Sequence, residues 1–115
     1  MKTNIIVNLT VEGLHCWKEA EIKLPEVAYL SNLHRHNFYI TCKQEVQHHN
    51  RQKEFIMLKH EIFDHLLLTY FDEQFNCMNF DTMSCEMIAV ELFEKFGLSY
   101  CSVLEDGECG GEIVK

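Results

Sequence analysis

Two histidines one residue apart, His34 and His36, open an alternation that continues through Phe38, Ile40 and Cys42. Side chains alternate along a strand, so all five share one face, and its apolar members make it the buried one. Two imidazoles on such a face need partners, and a divalent metal takes both, because neutral imidazole is a good zinc ligand. His15 follows another strand-like run, so His15, His34 and His36 form a candidate Zn2+ site. Three histidines leave a fourth position on the ion, which can hold a vicinal diol or polarise a carbonyl. On spacing alone, hydrogen-bonded core or surface histidines remain the other reading. His48 and His49 fall in a polar loop and His60 and His65 on a helix, and none of these four is read as a ligand.

The elements that must position these residues follow from periodicity. Residues 4–12 read as a strand rich in β-branched side chains, and residues 34–47 as a second, long one. Between them lies a less regular stretch with Gly13, the single tryptophan Trp17 and the single proline Pro25. Gln47–Lys53 is a polar loop. Apolar residues at 55, 58, 62, 66, 67 and 71 predict a helix from Glu54 to about Gln74. A second helix is predicted from Met83 to Phe96, capped by Asp81 or Thr82 and stopped at Gly97. Leu98–Glu105 and Glu112–Lys115 read as two more strands, with turn signals at Asp106-Gly107 and Gly110-Gly111. The order ββααββ predicts an α+β fold, a single domain over 1–115, with two helices on one face of the sheet. Its outer strands need covering or pairing, which joining sheets edge to edge in an oligomer would provide.

Composition sets further bounds. A chain with 47% apolar residues can bury a core, and a formal charge of −8 disfavours a phosphate backbone or an anionic membrane surface as partner. Residues 1–8 lack the apolar core and cleavage site of a signal peptide, and no run approaches the ~18 apolar residues of a membrane span. The six cysteines form no CxxC pair, and two of them fall in predicted strands. They read as small hydrophobes in a reduced, cytoplasmic protein.

Taken in order, several segments resemble the 6-pyruvoyl tetrahydropterin synthase and 6-carboxytetrahydropterin synthase family. Thr10-Val11-Glu12-Gly13-Leu14-His15 resembles that family's first strand with its zinc histidine. Leu33-His34-Arg35-His36-Asn37-Phe38 resembles its HGH segment, and Glu54-Phe55 with Leu58-Lys59 the opening of its first helix. Ser84-Cys85-Glu86-Met87-Ile88-Ala89 resembles its second helix start, and Val103-Leu104-Glu105 its last glutamate-bearing strand. The resemblance implies the tunnelling fold (T-fold), a ββααββ antiparallel sheet that oligomerises into a barrel, as a homo-hexamer with sites between subunits. It implies His15, His34 and His36 as Zn2+ ligands, Glu105 as the carboxylate that grips the pterin ring, and Glu86 and Ser84 near the same pocket. The ring would be held by paired charge-assisted hydrogen bonds to a guanine-like edge.

The chain departs from that family where proton transfer is done. The family's catalytic cysteine position, four residues before the first histidine of the HGH segment, holds Leu30. Its Asp-His pair falls on Tyr70-Phe71, and the nearby Asp64-His65 aligns only with a six-residue shift, which turns a helix by about 600°. Arg35 replaces the HGH glycine. Each missing acid or base lowers such a rate about 10²–10⁴-fold. Cys16 and Tyr70 are the substitutes the chain offers. The expectation is a zinc protein that binds a pterin or a purine nucleotide with lost or altered catalysis. The alternative is an active lyase on 7,8-dihydroneopterin triphosphate, serving pterin or 7-deazaguanine synthesis.

Overall fold

β-branched and apolar residues alternate with polar ones from Thr3 onward, and the first strand, β1, runs Thr3–His15. Its odd-numbered residues Val7, Leu9 and Val11 are buried, while Asn8, Thr10 and Glu12 between them are exposed. The chain then makes a four-residue helix α1 (Ala20–Lys23) and a 3₁₀ segment Pro25–Ser31, and returns as β2 (His34–Val46). The two 13-residue strands pair antiparallel along their whole length, from Thr3 opposite Val46 to His15 opposite His34. A computed structural model describes residues 1–115.

Helix α2 spans Phe55–Tyr70, and Glu54 caps it by accepting a hydrogen bond from the Ile56 N–H at 3.1 Å. Two short strands follow, β3 (Phe71–Asp72) and β4 (Cys77–Asn79), then helix α3 (Cys85–Phe96), β5 (Tyr100–Glu105) and β6 (Cys109–Val114). The sheet is six-stranded in the order β3-β4-β1-β2-β5-β6. The fold is α+β, as the sequence predicts, with two strands more than periodicity suggests. It is also mixed rather than wholly antiparallel, because β4 runs parallel to β1. Strands of two and three residues carry no readable alternation, which is why the stretch around Asn76–Asp81 reads only as a break.

Three other expectations need correction. The cap of α3 is Ser84, whose hydroxyl accepts from the Met87 N–H at 3.1 Å, and not Asp81 or Thr82. Helix α2 ends at Tyr70 rather than near Gln74, since Phe71 turns to extended backbone. Gly110 and Gly111 lie inside β6, so the hairpin turns only at Asp106-Gly107. Gly97 ends α3 in the left-handed conformation, at φ 61°, as its position predicts.

Both long helices cover one face of the sheet. A cluster of 18 buried residues joins Leu58, Ile62 and Leu66 of α2 and Ile88, Ala89 and Leu92 of α3 to the inward residues of β1, β2 and β5. Each fully buried Leu or Ile contributes about 1.5–3 kcal/mol. The opposite face carries Ile6, Thr10 and Tyr39 and has no helix over it. No helix is long and apolar enough to cross a membrane.

Candidate metal centre

Strand parity and register bring the three histidines together. His34 and His36 alternate with exposed Arg35 on β2, and His15 at the end of β1 sits directly opposite His34. Gly13 pairs with His36, and a side chain there would meet the Phe80 ring at 2.8 Å, so the glycine leaves room for the aromatic floor of Phe38 and Phe80. The imidazole nitrogens of His15, His34 and His36 lie within 4.8 Å of one another.

Each ring is oriented by its outer nitrogen. His15 Nδ1 meets the Met83 carbonyl at 2.9 Å, His34 Nδ1 the Asn32 carbonyl at 2.8 Å, and His36 Nδ1 the Asp106 carboxylate at 2.8 Å. A carbonyl oxygen or ionised carboxylate only accepts, so each Nδ1 donates and each neutral ring carries its lone pair on Nε2. Outer partners of this kind fix the tautomer of metal-bound histidines. The buried Nε2 atoms of His15 and His36 have no hydrogen-bond partner. Three lone pairs directed at a common region repel one another unless a cation lies between them. The donor set therefore fits a divalent ion that takes nitrogen, Zn2+ among them.

The electrostatics favour the neutral form of His15. Burial is the main cause that pulls the His15 pKa below the usual histidine value; it outweighs the Met83 carbonyl bond and the Glu105 charge, which act the other way, and the neighbouring imidazoles add a little to it, so protons compete weakly for its Nε2 at neutral pH. Asp106 is held below the usual carboxylate range by the Asn37 backbone N–H and then by His36. It therefore stays ionised and keeps His36 aligned throughout the range where imidazole binds metal. Asp106→Asn retains a residue tolerant of the left-handed backbone found there, at φ 54°, but removes the charge. Zinc affinity is expected to fall roughly tenfold, at the lower end of the range for such partners, in a competition titration against a chromophoric chelator.

A cavity of about 560 Å³ opens over His15 and His34. His15, Cys16, Trp17, Leu30 and His34 line one side, and Ser84, Cys85 and Glu86 at the start of α3 line another, with Glu105 between. Glu105 ends β5 and sets its two carboxylate oxygens 3.1 Å from His15 Nε2 and 3.2 Å from His36 Nε2. The Cys85 thiol donates to it at 3.8 Å. Burial and then the charges of Glu105 and Glu86 push the Cys85 pKa up to about 12, so this sulfur stays a neutral thiol.

Most residues singled out from sequence line this cavity, namely His15, His34, Glu105, Glu86, Ser84 and Cys16, and His36 stands beside it against the other two histidines and Glu105. The Ser84 hydroxyl accepts from Met87, which leaves its own proton free to donate. Tyr70 does not reach the cavity. It is packed against the core beside Phe80, at 4.9 Å between ring centres, and burial raises its pKa. Phe71 and Asp64 are exposed elsewhere, and His65 pairs with Glu91 on α3 at 2.6 Å. Arg35 points to the other face, where it pairs with Glu12 and reaches the Phe75 carbonyl. Sequence reasoning missed Asp106 as a partner of His36, because an Asp-Gly dipeptide announces a turn and nothing more. It also left unassigned Trp17, whose place in the cavity wall depends on the 3₁₀ segment folding back through the Trp17 N–H to Leu30 carbonyl bond at 2.7 Å.

No known protein-family model matches the chain, and no curated protein matches it.

Proposed function

We propose that this chain is a zinc-binding protein of the pterin-synthase type that holds a pterin or guanine-like purine in the cavity above its histidines, with catalysis lost or altered. One observation carries this reading: three imidazoles within 4.8 Å of one another stand beside a cavity that His15 and His34 line and whose wall holds the carboxylates of Glu86 and Glu105. A flat heterocycle with adjacent N–H donors suits such carboxylates, and the cavity volume of about 560 Å³ is in the range that takes small cofactors. When bound, zinc supplies Lewis acidity and a position for ligand oxygens. The protein's own part is to bind the ring and to exclude water with Leu30, Trp17 and Met87. Leu30 on the cavity wall carries no proton to transfer, which favours binding over turnover.

The second reading, an active lyase on dihydroneopterin triphosphate, is favoured by Cys16. Its thiol lines the cavity next to His15 and is buried. The T-fold assembly belongs to the same proposal. The radius of gyration, 15.4 Å, exceeds the roughly 13 Å of a compact chain of this length, and one face of the sheet lacks helices, both of which suit packing against other copies. Six free thiols suit a reducing compartment such as the cytoplasm.

Trp17 is the only tryptophan and lies in the cavity wall, so its fluorescence reports occupancy directly. Titrating the zinc-loaded protein with dihydroneopterin, pterin and guanosine nucleotides is expected to quench this emission saturably for at least one of them, and Glu86→Gln is expected to weaken the response. No change with any of these ligands, with or without zinc, contradicts the binding reading. Product formation that Cys16→Ser abolishes decides for the lyase.

A further inference from the structure

We propose that Glu105 is the fourth ligand of the metal held by His15, His34 and His36, so that the resting site is closed by the protein's own carboxylate. The inference rests on the metal reading above and goes beyond it, since a ring anchor need not touch the ion.

The distances point to coordination. Ligand atoms about 2.0–2.2 Å from a tetrahedral ion stand ~3.3 Å apart. Glu105 Oε1 lies 3.1 Å from His15 Nε2 and Oε2 lies 3.2 Å from His36 Nε2, so each oxygen stands from one imidazole at the spacing of neighbouring ligand atoms on a shared ion. Hydrogen bonding does not account for the approach, because both Nε2 atoms lack a hydrogen-bond partner and both rings hold their proton on Nδ1. With both rings neutral, a carboxylate facing two imidazole lone pairs at this range is repelled by them, and a shared cation turns that repulsion into attraction. Strand geometry brings it there: Glu105 pairs with Phe38, two residues along β2 from His36, on the same inward face. The Cys85 thiol, itself buried, donates to Oε1 and keeps the carboxylate turned toward the trio. Glu86 lines the same cavity but makes no such approach to an imidazole, which makes it the control. An incoming ligand must therefore displace Glu105 from the ion before its own donor atoms bind there, and the freed carboxylate is then available to a ring.

The test uses the full chain, stripped and loaded with Co2+ or Zn2+. Wild-type protein is expected to show a four-coordinate visible spectrum that azide leaves unchanged. Glu105→Gln is expected to bind zinc at least roughly 10–100-fold more weakly, the range set by losing even an outer partner, and its cobalt spectrum is expected to shift with azide. Glu86→Gln is expected to match wild type in both respects. Equal zinc affinity in wild type and Glu105→Gln overturns the proposal. So does a wild-type cobalt spectrum that azide readily shifts, which needs no variant to fold. Failure of wild type to take up either ion removes the metal reading as well, and so is told apart from a metal-loaded site indifferent to Glu105.

Discussion

His15→Ala is expected to lower zinc affinity by well over 100-fold, more than loss of any outer partner causes. His15 is the most buried of the trio, 7% exposed, and its Nε2 faces both other rings and Glu105. Its removal leaves two imidazoles, too few to close a tetrahedron with Glu105 without water. The variant also strands the Met83 carbonyl, which loses its donor, at a cost of about 1–3 kcal/mol. Partly offsetting that, the metal-free protein no longer crowds three lone pairs together. Zinc at 100 times its dissociation constant raises the stability of wild type by about 2.7 kcal/mol. Thermal unfolding with and without zinc is thus expected to show a clear upward shift for wild type and almost none for His15→Ala. An equal shift in the two proteins contradicts the assignment.

Phe38→Ala is expected to be the most destabilising single truncation at the site, by about 3–5 kcal/mol. Phe38 has no exposed surface, and its ring centre stands 5.1 Å from that of His15 and 5.1 Å from that of Phe80, with His36 at 5.9 Å. It is at once part of the core and the floor on which two ligands rest. A domain of this size has about 5–15 kcal/mol in total, so the loss removes a large share of it and lowers the melting temperature by roughly 10–20 °C. Because the metal binds only the folded chain, zinc is expected to restore part of the melting temperature in Phe38→Ala, which keeps all three histidines. Urea titration of both proteins, metal-free and zinc-loaded, measures each part. A loss under 1 kcal/mol contradicts the packing described for this ring.

What the sequence made legible was parity. A side-chain period of two puts His34, His36, Phe38, Ile40 and Cys42 on one face, and the strand shows them there. The convergence of His15 was legible only as a possibility, because the 18 residues from Cys16 to Leu33 leave register free. Hydrogen bonds settle it, with His15 opposite His34. Asp106 was hidden for a related reason. Its turn is visible in Asp106-Gly107, but its bond to His36 exists only once β5 lies beside β2. Gly110-Gly111 misled because glycine marks both turns and close approaches. A side chain at 111 would meet Glu86 at 2.6 Å, so the pair lets β6 pass against the start of α3. Tyr70 misled because a helical position near the break says nothing of which neighbour it faces, and it packs on Phe80 instead of opening to the cavity.

The most direct measurement is the metal content of the purified chain after saturation with zinc and exhaustive dialysis, read by elemental analysis beside a variant carrying His15→Ala, His34→Ala and His36→Ala together. The account predicts one tightly held ion per wild-type chain and none in the triple variant. A wild-type chain that retains no zinc, or a triple variant that retains as much, contradicts it.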